Sequence, residues 1–244
     1  MPNLPGSTYE MDVKMLNDSL YDPRLQVDQY KIYPTAIVPW TKIKKWHEEG
    51  SYIPYDDLKL YELIKNFKQK VQKWKRLNRI IRDIPSTYIS GGYSHKYVNM
   101  RQLLQNDMKK NNWCCRCIGC REVGNNIVNP DDIKLNIQEY DGSDGKEYFI
   151  SYETYNYLIG FIRLRLSKHN ENRLEILKDM ALIRELHVYS NLNNVGNNIE
   201  ESMQHKGHGK KLVFEAERIA LENGYKKMAI IIGTDVKTLY VIHL

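Results

Sequence analysis

Cysteine is nearly absent from this 244-residue sequence: no cysteine precedes Cys114, and all 4 lie between Cys114 and Cys120. Thiols so close together cannot staple distant parts of a fold, which excludes a disulfide framework. Long apolar runs are missing too. With a mean hydropathy of −0.59 and no stretch of ~18 apolar residues, no transmembrane helix and no membrane partner are expected. The start Met1-Pro2-Asn3 lacks the basic-then-apolar layout of a signal peptide, so a cytoplasmic protein is expected, with the nucleus as the alternative. No internal repeat of about 20 to 50 residues occurs, which removes solenoids and propellers.

What remains is the composition of one large or two small globular domains, 42% hydrophobic and 27% charged. Lysine and arginine number 36 against 30 aspartates and glutamates, a net charge of +6 that favours phosphate without naming a partner. Lys31 to Val38 reads as a strand, and Asp56 to Trp74 as an amphipathic helix capped by its aspartates. Between Lys65 and Arg82 cations are dense. Lys68, Lys73, Lys75, Arg76, Arg79 and Arg82, interleaved with Phe67 and Trp74, are candidates for RNA contact, the alternative being one solvated basic helix face.

Beyond Asn129-Pro130, strands are expected at Glu147–Ser151, Leu158–Leu166 and Met180–Tyr189, and a loop at Asn191–Asn198. A helix from Lys211 to Asn223 ends at Gly224, and Lys227–Ile232 forms another strand. The turn Gln204-His205-Lys206-Gly207-His208-Gly209-Lys210 lies between strand and helix. Its glycines let backbone N–H groups converge where a helix N-terminus adds partial positive charge, which suits a pyrophosphate. Val188 and Tyr189, at the end of the preceding strand, are placed to offer backbone amides to a carbonyl. Glu185 and His187 alternate with Arg184 and Leu186 and so share one face. Either could act as a base; the alternative is a satisfied pair within the sheet.

Cys115-x-Cys117-x-x-Cys120 sets three soft thiolates in one loop, a spacing suited to tetrahedral zinc, with Cys114, His95, water or an outside residue as the fourth ligand. Reduced thiols are the alternative reading. No iron-sulfur cluster is expected, because no further cysteine completes a usual ligand set.

The run Arg184-Glu185-Leu186-His187-Val188-Tyr189, the turn Gln204 to Gly209 and the helix Phe214–Ala220 resemble the acetyltransferase domain of Elongator catalytic subunits, members of the GNAT superfamily. Upstream, Met1–Ser7, Lys31–Thr35, Arg82–Pro85, Cys115–Gly124 and Leu158–Phe161 resemble signatures of the same family. The resemblance implies an α/β (α+β) chain in three parts. Residues 1–85 would be the tail of a radical S-adenosylmethionine (SAM) barrel, 86–128 a zinc-binding linker, and 129–244 a truncated GNAT-type acetyltransferase.

It further implies acetyl-CoA as cofactor, tRNA as partner and carboxymethyl-type modification of the wobble uridine. Other Elongator subunits, or a separate chain carrying the radical SAM half, are implied as further partners. No radical chemistry is expected from this chain alone. The family's Tyr-Tyr pair reads Leu239-Tyr240 here, so only Tyr240 carries over, beside the coenzyme sulfur. Where the family has a second glycine, this chain reads Gly233-Thr234-Asp235-Val236, and the family's closing Gly-Tyr strand is expected to be missing. Protein or histone lysine acetylation, and a non-catalytic tRNA- or protein-binding module, stand as alternatives.

Overall fold

The computed structural model of the chain describes residues 1–167, 174–189, 207–231 and 240–244, with backbone alone at His95 and at 240–243. The chain divides into two compact units, Met1–Cys120 and Arg121–Leu244, so most of the segment expected as a linker packs within the first.

In the first unit, α1 (Tyr9–Tyr21) starts at Thr8, whose hydroxyl accepts from the Met11 amide. Then come β1 (Gln29–Lys31), α2 (Lys42–Glu48) and α3 (Asp57–Lys70), the last capped by the Asp56 carboxylate on the Lys59 amide. β2 (Arg76–Arg79), α4 (Met100–Lys110) and the short α5 (Ile118–Arg121) follow. β1 and β2 pair in parallel from Gln29↔Arg76 to Lys31↔Arg79. The strand expected over Lys31–Val38 is therefore corrected. Pro34 has no N–H for a ladder, and Ile37 makes only an isolated bridge to Gly91.

Helix α3 buries Leu60, Leu63, Ile64, Phe67 and Lys68, the i, i+3, i+4, i+7, i+8 stripe of an amphipathic helix. Its apolar members pack with Leu20, Leu77, Met100, Leu104, Cys115 and Cys117. The helix stops at Lys70, short of the expected Trp74, where Val71 turns extended.

Three residues expected at an RNA surface lie in this core instead. Lys68, 2% exposed, completes the apolar stripe, and its Nζ donates to Cys120 Sγ at 3.1 Å. Lys75, fully buried, donates to the carbonyls of Ser19 and Leu20 at 3.1 and 3.2 Å and to the Tyr30 hydroxyl at 3.2 Å. It thus serves the unsatisfied last turn of α1, a helix with no basic residue of its own there. Phe67 is buried edge-on against Tyr30 at 5.2 Å.

The second unit is one sheet of six strands in sequence order. β3 (Lys134–Gly142), β4 (Gly145–Glu153), β5 (Leu158–Ser167) and β6 (Ala181–Val188) form an antiparallel meander. Helix α6 (His208–Glu222) then crosses to β7 (Lys227–Ile230), parallel to β6, and β8 (Tyr240–His243) returns antiparallel. β3 was not expected. As an edge strand it leaves Leu135 and Ile137 well exposed, so the alternation that marks a half-buried strand is weak. Its hairpin to β4 turns through Ser143 and Asp144, both at positive φ (36° and 64°), the backbone of a tight primed turn.

Leu212, Ala216, Ile219 and Ala220 of α6 pack on Ile150, Ile162, Leu164, Ala181 and Ile183. The opposite face carries Phe149 and Phe161, whose rings stack at 5.0 Å. Among the described residues no helix is long and apolar enough to cross a membrane.

Burial pushes the Lys75 ammonium down to about 8. Between about 8 and the unfolded value of 10.5 the unfolded chain holds a proton that the folded chain has lost. Stability from this group therefore rises with pH across that window. In urea titrations, the wild type should gain about 2 kcal/mol relative to Lys75→Met between about pH 7.5 and 9.5. Equal pH slopes for the two proteins would refute the assignment.

Candidate coenzyme site and cysteine cluster

β6 carries one residue more than β5 can match. Arg163 pairs with Glu185 but Leu164 with Ile183, so Arg184 is extra. Such a bulge reverses which way successive backbone groups point. Before it, the Ile183 carbonyl faces β7 and accepts from the Ile231 amide at 3.1 Å. Beyond it, the Tyr189 amide donates to the Ile159 carbonyl of β5 at 2.8 Å. By antiparallel alternation, the amide of Val188 turns away from β5.

The β6–β7 ladder stops at Ile183↔Ile230. Arg184–Val188 thus run on without a β7 partner among the described residues, which leaves a split in the described sheet. The expectation for Tyr189 is corrected, since its amide is spent in the ladder; Val188 keeps a free-facing N–H.

Helix α6 begins at this split. Gly207, at φ +71°, precedes His208, and the first intrahelical bond runs from the Lys211 amide to the Gly207 carbonyl at 3.1 Å. The amides of His208, Gly209 and Lys210 therefore point out of the helix end, and among the described residues no side chain caps them. A Cβ on Gly209 would lie 3.7 Å from Val188 Cγ2, which places this end beside the last residue of β6. His208 contributes backbone alone, because its ring is buried 4.9 Å from that of Tyr152. Lys210 is exposed. Gln204, His205 and Lys206 lie outside the described residues. So do the loop Asn191–Asn198 and the segment Gly233–Val236. Tyr240 pairs with Ile230 through its backbone.

On the face opposite α6, Glu185 Oε2 accepts from Arg163 Nε at 2.7 Å, and its other oxygen lies 3.2 Å from His187 Nε2. Arg163 is 1% exposed, its guanidinium carbon 5.4 and 5.3 Å from the ring centres of Phe149 and Phe161. His187 is 54% exposed in its side chain and stacks on Tyr189 at 6.0 Å. The two candidate bases are thus unequal. Both oxygens of the Glu185 carboxylate are engaged, by Arg163 and His187, whereas the imidazole, oriented by that carboxylate through Nε2, keeps Nδ1 available.

In the first unit, the sulfurs of Cys115, Cys117 and Cys120 lie within 4.8 Å of one another, the first two thiols buried and the third half-buried. Cys114 is exposed and outside the group. Hydrogen bonds from Cys115 and Cys117, with the Lys68 ammonium nearby, hold the Cys120 thiol far below its usual range. The cluster is arranged to hold one metal ion.

Residues 27–110 match the radical SAM C-terminal domain family. The sequence is 39% identical to the tRNA uridine(34) acetyltransferase of Methanocaldococcus jannaschii, over 98% of this chain and 46% of that protein. It is 34% identical to human Elongator complex protein 3, over 98% of this chain and 45% of that protein. The solved structure of the Methanocaldococcus infernus Elp3 with an N-terminal deletion superposes with a TM-score of 0.83 at 38% identity, over 94% of this chain and 56% of that one. The chain is homologous to tRNA uridine(34) acetyltransferases and to Elongator complex protein 3. It spans about half the length of the curated relatives it matches.

In this Elongator homologue one participant escaped sequence reasoning. Arg163 reads as an ordinary polar position in an alternating strand, and only the bulge brings it opposite Glu185. Glu185→Ala, which strands a buried guanidinium, should destabilise the second unit by about 3 kcal/mol in denaturant titrations, while His187→Ala should change stability by no more than about 0.5 kcal/mol. Equal effects would mean that the two form one structural pair.

Proposed function

We propose that the chain binds acetyl-CoA at the β6–β7 split and acts on the wobble uridine of tRNA, the substrate that its relatives' names print. The observation that carries the reading is the uncapped start of α6 beside the unpaired end of β6. The outward amides of His208, Gly209 and Lys210 bind the pyrophosphate, aided by the helix dipole and the Lys210 ammonium. Gln204, His205 and Lys206 complete that turn. The coenzyme supplies an acetyl thioester. The Val188 amide polarises its carbonyl, and His187, held by Glu185, takes a proton from the attacking group through Nδ1. Tyr240 protonates the departing thiolate. Lys73, Arg76, Arg79 and Arg82 form the surviving tRNA surface.

Zinc fits the cysteine cluster. At Zn–S distances of ~2.3 Å, tetrahedral thiolates stand about 3.8 Å apart, which the three sulfurs, all within 4.8 Å of one another, can meet, and soft donors favour that ion. It would fix the loop after α4 to α3 as a structural centre. Cys117→Ser should purify without the single zinc measured in the wild type, and its first unit should melt at lower temperature. Full zinc content in that variant would remove the assignment.

The deciding experiment measures thiol released from acetyl-CoA, with and without tRNA. The wild type should release thiol faster with tRNA present. His187→Ala should lower kcat about 100-fold with KM little changed, and Gly207→Val should abolish coenzyme binding. No release by the wild type, with RNA still bound, would favour a non-catalytic binding module.

A further inference from the structure

Beside the surviving cations lies a cleft of about 410 Å³ between the end of β2 and the first turns of α4. Its floor includes Ile81 and Val98, partly buried aliphatics packed against the first unit's core. Two guanidiniums stand at its edges. Arg101 donates to the Asn78 carbonyl at 3.1 Å, which fixes its head at the rim. Among the described residues, the Arg79 side chain meets only the exposed carboxylate of Asp83 at 3.1 Å, a pair weak enough for a phosphate to displace. The amides of Asn99 and Gln105 also line the cleft, and among the described residues neither has a hydrogen-bond partner.

We propose that this cleft receives one unpaired nucleotide of single-stranded RNA. The aliphatic floor accepts the flat base, the idle amides of Asn99 and Gln105 meet its hydrogen-bonding edge, and Arg79 and Arg101 hold the flanking phosphates. Duplex RNA cannot enter, because its bases are stacked and their edges paired. The site rests on the tRNA reading above and deepens it: it names a nucleotide pocket in the first unit, separate from the acetyl-CoA site. Two primary amides with no intramolecular partner distinguish it from a merely basic surface, where lysine and arginine alone would suffice.

The test compares two RNAs, a short hairpin with a single-stranded, uridine-containing loop and its stem closed as a blunt duplex. The double variant Arg79→Ala, Arg101→Ala should bind the hairpin about tenfold more weakly at ~0.1 M salt, with a shallower salt dependence by about one to two phosphates. Asn99→Ala, Gln105→Ala should weaken the hairpin about fivefold and leave the duplex unchanged. All four side chains lie at the protein surface, so melting temperatures should stay near wild type.

Unchanged hairpin affinity in the amide variant, or equal losses for hairpin and duplex, would overturn the pocket while leaving the tRNA reading intact. Displacement of the hairpin by free uridine monophosphate at equal concentration would overturn the RNA assignment in favour of a free nucleotide. Failure of the wild type to bind either RNA would sink the tRNA reading and this site with it.

Discussion

The single extra residue in β6 is the constraint on which the second unit depends. Without Arg184 out of register, alternation would carry the Ile183 pattern to the strand's end, and β6 could pair with β7 along its length. With it, β6 pairs with β5 on both sides of the bulge but, among the described residues, with β7 only before it. One insertion therefore opens the split, aims the Val188 amide outward and moves Glu185 and His187 onto the face away from α6. Helix α6 starts beside the opening, with Gly209 close to Val188.

The first unit depends on buried cations in a comparable way. Among the described residues, Lys68 and Lys75 are the two lysines that the core accepts, and each is matched to a group that accepts a hydrogen bond. Lys75 caps the end of α1 together with the Gln26 and Gln72 amides, which also donate to the Leu20 carbonyl. Its ammonium holds two carbonyls and a phenol that belong to different elements, joining α1, β1 and the start of β2. A methylene chain of the same length without the charge would fill the space but lose all three contacts, leaving the Leu20 carbonyl to the Gln26 and Gln72 amides and the Ser19 carbonyl to the Tyr30 hydroxyl.

The elements legible in the sequence were those whose patterning is local. β4, β5, β6 and α6 announce themselves by apolar alternation or by a helical stripe, and Gly207 marks the start of that helix. The cysteine triplet likewise converges because its members sit within one loop. What misled was charge. A lysine in a cation-rich string reads as surface, yet Lys68 falls on the i+8 position of the α3 stripe, and helical periodicity outweighs composition. β3 and the bulge were illegible for another reason, since an exposed edge strand carries little pattern and a register shift exists only between two strands. The pairing of Arg163 with Glu185 follows from that shift, so nothing along either strand alone could reveal it.

Charge balance explains why Lys68 is tolerated at such depth. Three thiolates around a divalent ion, as proposed for zinc, would carry one net negative charge in a place from which water is largely excluded. The ammonium 3.1 Å from Cys120 supplies the compensating positive charge without occupying a sulfur position. Burial alone would push that ammonium toward neutrality, but the neighbouring cysteines outweigh it and hold the lysine protonated. The α3 stripe and the cysteine loop are thus fitted to each other: the helix gives up an apolar position, and the loop gains a cation beside its three clustered sulfurs.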